Sequence, residues 1–218
     1  MEPAPGELRD YKPIHPGTDW RAVLRRVFAP VIVLVGLVAK FGIGFLKLST
    51  IFVAVGGYAL IWGWRFATGI VLLILVHELG HFAEARRLGL NPSVPVFIPF
   101  LGAYVAIRDA RLSPWQHARV AIAGPIVGSL GAAACWAIAE AQGGSRLLEA
   151  LAYTGFLLNL FNLLPIGFLD GGAIARSFNY LRLGGARGQA AAVGIAYVGL
   201  ALLLVGAMFA THVSQSRL

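Results

Sequence analysis

The sequence predicts an all-α polytopic membrane protein with about five transmembrane helices, an N-terminal interfacial or re-entrant segment and a short re-entrant β element. Of its 218 residues, 58% are hydrophobic and only 13% are charged, whereas soluble domains carry about 25% charged residues. The mean hydropathy is correspondingly high, at +0.74. At about 20 residues per span, this length accommodates five or six spans and little else.

Charge and cysteine content exclude two other classes of protein. The formal net charge of +8 is typical of lysines and arginines that flank membrane spans. These residues do not form a basic stripe with interleaved aromatics, so we expect the lipid bilayer as a partner and no nucleic acid. The single cysteine, Cys135, excludes an intrachain disulfide, and its apolar surroundings are typical of a packing residue.

Composition divides the chain into three parts. Residues 1–27 form a polar N-terminal tail, residues 28–210 a single membrane-embedded domain, and residues 211–218 a short C-terminal tail. The first apolar stretch, residues 28–46, is interrupted by Lys40. We expect this stretch to lie in the interface or to re-enter, with its lysines reaching the surface. The alternative is one tilted span.

Five apolar stretches of the sequence set the predicted topology. The predicted spans are residues 48–62, 66–88, 115–140, 149–164 and 189–210. Arginines cluster in the loop after the second span and again in the loop after the fourth. The positive-inside rule therefore places both loops and the N-terminus in the cytoplasm. A multi-pass protein of a bacterial-type inner membrane is the expected setting.

Residues 91–107 lie between two of these spans but cannot form a regular helix. They contain three prolines among apolar, β-prone residues. Irregular backbone at membrane depth survives only where protein covers it or where it lines a wet cavity. We therefore expect a re-entrant strand or hairpin, whose edge could pair with an extended substrate. A surface loop that dips into the interface is the alternative.

The residues that indicate chemistry are His77, Glu78 and His81, inside the second predicted span. Residues four apart lie on one face of a helix, one turn from each other. Both imidazoles can therefore reach one metal ion, with Glu78 beside them as a candidate general base. This is the HExxH pattern of zinc hydrolases. The alternative is a pair of buried histidines satisfied by hydrogen bonds within the helix.

Two further acids could belong to such a site. Asp170 lies in a glycine-flanked bend after Pro165 and Gly167, where an acid in apolar sequence needs a cation or a metal as its partner. A helix N-cap is the alternative for Asp170. Glu84 shares the histidine face but is seven residues from His77. We favour an ion pair of Glu84 with Arg87 or Arg111 over support of a metal ligand.

These motifs together resemble the site-2 protease family of intramembrane zinc metalloproteases. The resemblance rests on the HELGH sequence at residues 77–81 and on the downstream Asn162-Leu-Leu-Pro165-Ile-Gly-Phe-Leu-Asp170-Gly sequence. The Phe-Ile-Pro-Phe-Leu-Gly-Ala segment at residues 97–103 and the Ala-Gly-Pro segment at residues 123–125 are also similar to that family. One departure is Gly167, where many members have a second proline.

The resemblance implies a site and a reaction. His77, His81 and Asp170 would ligate one Zn²⁺, Glu78 would act as general base, and Asn162 would position the substrate or stabilise the oxyanion. The substrate would be a transmembrane segment of a membrane-tethered protein, cleaved towards the cytoplasmic side. We expect a minimal form without a PDZ or CBS domain. The alternatives are a non-proteolytic zinc-binding scaffold or chaperone of the same fold and, from another class, a metal transporter.

Overall fold

The computed structural model describes residues 20–100, 102–107 and 112–215, which form six helices and one small sheet. The elements follow in this order: α1 (Trp20–Trp62), α2 (Trp64–Arg87), β1 (Val96–Ile98), β2 (Gly102–Tyr104), α3 (Pro114–Ala141), α4 (Arg146–Asn162), α5 (Asp170–Leu183) and α6 (Arg187–Gln215). The chain divides into two compact units, Met1–Ile43 and Gly44–Leu218. All that follows on packing and on the candidate site concerns the second unit.

The helices confirm the prediction of an all-α membrane protein. Among the described residues, three segments are long and apolar enough to cross a bilayer: Trp64–Arg87, Pro114–Ala141 and Arg187–Thr211. They correspond to the second, third and fifth predicted spans. The other two predicted spans are shorter apolar helices, since Ser49–Trp62 is the end of α1 and α4 has 17 residues.

Helix α1 differs from the predicted N-terminal arrangement. It is continuous over 43 residues, from Trp20 to Trp62, so the boundary expected between residues 28–46 and the first span is absent. The interfacial or re-entrant placement of residues 28–46 stays a prediction. No proline follows Pro30 in α1, so the helix can continue past Lys40. Gly63, with φ of 78°, separates α1 from α2.

The hairpin predicted within residues 91–107 is confirmed. Strands β1 and β2 pair antiparallel, with Phe97 opposite Ala103, and the pairing is extended by an isolated bridge between Pro92 and Ile107. The Phe97 amide donates to Thr50 Oγ1 of α1 at 2.9 Å. The hairpin is therefore tied to the last third of α1, while β2 faces the cavity described below.

A row of glycines on α3 lets its neighbours approach closely, as the small residues of this span predicted. A Cβ on Gly124 would overlap the His81 imidazole of α2, and one on Gly128 would overlap the Asn159 amide of α4. The approach is reciprocal, because a Cβ on Gly80 of α2 would lie 2.5 Å from the Ala123 carbonyl oxygen. Helix α3 thus forms the backbone wall against which the candidate site is built.

Candidate metal centre

His77 and His81 point their imidazoles to one place between α2, α3 and α5. Their Nε2 atoms are 3.1 Å apart. The Nδ1 atom of His77 is 2.8 Å from Asn159 Oδ1, and that of His81 is 2.8 Å from the Val120 carbonyl oxygen. Both partners are acceptors, so each Nδ1 carries the proton and donates. Each neutral ring then presents the lone pair of its Nε2 to the other.

Asp170 completes this cluster from the first turn of α5. Its Oδ2 lies 3.2 Å from His77 Nε2 and 3.3 Å from His81 Nε2, yet this buried oxygen accepts no hydrogen bond from the described residues. Three lone pairs that converge in a buried place repel one another unless a proton or a metal cation lies among them. The arrangement therefore indicates a cation site rather than three satisfied side chains.

The spacing of the three donor atoms fits a small divalent metal. All three lie within 4.8 Å of one another. Two ligands at about 2.0–2.1 Å from a tetrahedral zinc are roughly 3.3–3.4 Å apart, close to the distances of 3.1–3.3 Å between these atoms. The outer hydrogen bonds on both Nδ1 atoms also match those that orient metal-binding histidines. His77, His81 and Asp170 can thus hold one metal ion.

The loop between α4 and α5 positions Asp170 through backbone contacts. A Cβ on Gly171 would overlap the Leu163 carbonyl, and a Cβ on Gly172 would overlap the Ile166 carbonyl. The Tyr197 hydroxyl of α6 donates to the Leu163 carbonyl at 2.6 Å. Arg176 of α5 donates to the Gly167 carbonyl at 2.9 Å. The two glycines after Asp170 therefore allow α5 to begin directly against this loop.

Glu78 and Asn162 line the same cavity as the three donor residues. The cavity has a volume of about 370 Å³ and is bounded by α2, α3, strand β2 and the start of α5. Glu78 is buried, with 5% of its surface exposed, and Asn162 is half-buried at the end of α4. The structure therefore brings all five predicted site residues to one cavity, and their roles stay predictions.

Asn159 is a site residue that the sequence analysis did not single out. It is 2% exposed, and its Nδ2 donates to the Gly155 carbonyl at 2.7 Å, which turns its Oδ1 towards His77. The signal was present, since Asn159 and Asn162 are three residues apart and share a helix face. Only the packing of α4 against α2 shows that Asn159, rather than Asn162, bonds to His77.

Glu84 does not join the metal centre. Its Oε1 lies 2.5 Å from Arg119 Nη2, and its Oε2 lies 3.5 Å from Arg87 Nη1. The predicted ion pair with Arg87 is confirmed, and Arg119 of α3 is a second partner. The other predicted partner, Arg111, lies outside the described residues.

Replacing Asn159 with leucine is expected to weaken metal binding by about 10- to 100-fold, the usual effect of losing an outer partner of a metal-bound histidine. Leucine has a similar volume but cannot accept the His77 Nδ1 proton. Metal content would be measured against a chelator series. The matched control is Asn162→Leu on the same helix face, which should keep its metal. Equal losses in both variants would contradict the assignment of Asn159 as the partner of His77.

Comparison with known proteins places this site in a family. The sequence model of Peptidase family M50 matches residues 65–144 and 139–206, which include every residue of the cluster and most of the chain. The chain belongs to Peptidase family M50. The resemblance to site-2 proteases is thereby confirmed.

Three relatives have names that refer to zinc. The chain is 34% identical over 163 residues to "Putative zinc metalloprotease Rip3" of Mycobacterium tuberculosis, which covers 69% of this chain and 40% of that protein. It is 33% identical over 128 residues to "Putative zinc metalloprotease sll0528" of Synechocystis, covering 56% of this chain and 33% of the relative. It is 30% identical over 149 residues to "Probable zinc metalloprotease EGY2, chloroplastic" of Arabidopsis thaliana, covering 49% of this chain and 27% of the relative. The match thus spans at most 40% of the length of these relatives.

Proposed function

We propose that this M50 protein is an intramembrane zinc metalloprotease that hydrolyses peptide bonds within or near transmembrane segments of membrane-tethered proteins. The observation that carries the proposal is the convergence of His77, His81 and Asp170 on one buried place beside the Glu78 carboxylate. Two imidazoles and one carboxylate with an adjacent acid are the donor set of zinc hydrolases.

His77 and His81 would hold the metal through Nε2, and Asp170 through Oδ2. When bound, zinc supplies a Lewis acid that activates water at neutral pH and polarises a substrate carbonyl. The Asn159 and Val120 acceptors fix both imidazoles in the tautomer that leaves Nε2 free. The protein therefore orients its metal ligands before any substrate arrives.

Glu78 is the proposed general base. Its carboxylate takes a proton from the attacking water and later delivers that proton to the leaving amine. Because Glu78 is buried in the cavity wall, bulk water does not compete for this transfer. Asn162, which lines the same cavity, has an amide N–H that can donate to the oxygen on which negative charge develops.

The cavity suits an extended peptide better than a helix. A helix with its side chains is about 10–12 Å wide and hides its carbonyls in its own hydrogen bonds, whereas the cavity volume is only about 370 Å³. Gly102, Ala103 and Tyr104 of β2 form part of its wall. We propose that an unwound substrate segment pairs with this strand, which would present one carbonyl to the catalytic groups.

Orientation is the last part of the proposal. Arg86 and Arg87 end α2 after the HExxH residues, and Arg176 and Arg182 follow Asp170 on α5. By the positive-inside rule, these arginines favour an active site towards the cytoplasm. We also propose a multi-pass location in a bacterial-type inner membrane, the setting that the resemblance to site-2 proteases favours.

The test is cleavage by detergent-purified protein of a panel of model transmembrane peptides, with and without a chelator. We expect cleavage that is lost on chelation and restored by stoichiometric zinc, because three protein ligands and one open position define a catalytic site. Mass spectrometry of the products would identify the cleaved bond. Stoichiometric zinc without cleavage of any peptide would instead favour a non-proteolytic scaffold. Zinc flux in proteoliposomes would favour a transporter.

A further inference from the structure

A second cavity lies between α2, α3 and α6, apart from the metal centre. It has a volume of about 420 Å³. It is lined by α2 residues that turn away from the metal, such as Gly80 and Ala83, whereas His77, Glu78 and His81 line the first cavity. We call this second cavity the α2–α6 groove. Its walls are largely apolar, and its volume is within the range of pockets that hold small molecules. The apolar wall residues are Ile122, Ala123, Ile126, Val127, Ala192, Val193 and Ala196.

One end of the α2–α6 groove is cationic. Arg87 and Arg119 lie there on either side of Glu84. The Glu84 side chain is only 12% exposed and uses one oxygen for each arginine, while the Arg87 side chain is 77% exposed. The carboxylate is therefore inside the cluster and guanidinium N–H groups are outside. Two arginines against one glutamate leave one net positive charge at the mouth of the groove.

The groove also opens on α6, which contains the least buried of the three candidate spans found among the described residues. The segment Arg187–Thr211 of α6 has a hydropathy of 2.3, and only 11% of its most apolar window is buried, against 50% for Trp64–Arg87 and 39% for Pro114–Ala141. Ala192 and Ala196, both exposed, contribute only methyl groups on the α6 side. Trp115 lies near the charged end, where an indole suits the boundary between hydrocarbon and headgroups.

We propose that the α2–α6 groove is a binding site for an anionic phospholipid. An acyl chain would lie along the apolar wall, and the phosphate would accept hydrogen bonds from Arg87 and Arg119. Charge complementarity selects this occupant, because a groove that is apolar along its length and cationic at one end matches an acidic amphiphile. A transmembrane helix of another protein has no anion that must lie at this depth. The site does not depend on proteolytic activity.

The test is native mass spectrometry of the detergent-purified full chain, titrated with phosphatidylglycerol or with phosphatidylcholine of the same acyl chains. We expect the first phosphatidylglycerol molecule to bind more tightly than the first phosphatidylcholine molecule. Arg87→Gln should weaken that binding about fivefold, the equivalent of about 1 kcal/mol per basic residue. Because the Arg87 side chain is mostly exposed, this variant should fold. The matched control is Arg86→Gln, since Arg86 is exposed but lies over the Phe82 ring and not in the groove.

A second pair of variants tests the acyl-chain wall without changing charge. Ala196→Phe would fill the α2–α6 groove and should abolish tight binding, whereas Val198→Phe, at an exposed position outside the groove, should not. Equal affinity for the two lipids would overturn the proposal. So would an effect of Arg86→Gln as large as that of Arg87→Gln. Retained phosphatidylglycerol binding in Ala196→Phe, with loss of transmembrane-peptide binding instead, would assign the groove to a protein partner.

Discussion

Replacement of Glu78 by glutamine is expected to lower the rate of peptide cleavage by roughly two to four orders of magnitude, the usual contribution of a general base. Glutamine has nearly the same shape, so the cavity wall should be preserved, but its amide cannot take a proton from water. His77, His81 and Asp170 are unchanged, and the bound metal should therefore remain. Cleavage rates and metal content would be measured on the same preparation.

The control for this variant is Glu140→Gln, a neutralised glutamate at the far end of α3, where Glu140 accepts a hydrogen bond from Trp136. Its cleavage rate should equal that of the wild type. If Glu78→Gln cleaved peptides at the wild-type rate with full metal, Glu78 could not be the base. If it lost its metal, the role of Glu78 would be to stabilise the metal centre.

Replacement of Asp170 by alanine is expected to weaken metal binding by more than the roughly 10- to 100-fold typical of an outer partner. The Oδ2 atom is one of only three converging donors among the described residues, and alanine offers none. Two imidazoles alone leave the metal open to water and to the chelator. The variant should therefore lose both its metal and its cleavage activity.

Asp170→Asn provides the matched comparison, because asparagine has nearly the same shape as aspartate but carries no charge. Its metal affinity should fall between those of the wild type and Asp170→Ala. Circular dichroism of all three metal-free proteins would show whether the helices persist. Full metal occupancy in Asp170→Ala under limiting metal would remove Asp170 from the ligand set.

The sequence predicted those features that depend on local spacing. His77 and His81 share a helix face wherever a regular helix forms, and the residues of α2 around them include no proline. Three prolines likewise excluded a helix over residues 91–107, which contain the hairpin. Asp170 was identified because an acid in apolar sequence needs a partner. In each case the neighbouring residues contain the physical reason.

The sequence could not predict features that depend on how helices cross. Asn159 and Asn162 are equivalent in a helical projection of α4, and only its contact with α2 turns Asn159 to His77. The partnership of Glu84 with Arg119 similarly joins α2 to α3 across 35 positions of sequence. The continuity of α1 was not predicted, because the positive-inside rule and Lys40 favoured an interfacial segment over the alternative of one tilted span through residues 28–46. Long side chains that can reach the surface make such a lysine compatible with an uninterrupted helix.

The glycines of α3 have a consequence for mutational tolerance. Gly124 and Gly128 carry no functional group, yet any side chain at these positions would displace the His81 imidazole or the Asn159 amide. A saturation scan of this protein should therefore show these two backbone positions to be as intolerant as the ligands themselves. Gly188 and Gly199 of α6, around which an added methyl group would meet open space, should accept alanine freely. Inactivating variants would thus be found around the metal centre at residues that take no part in its chemistry.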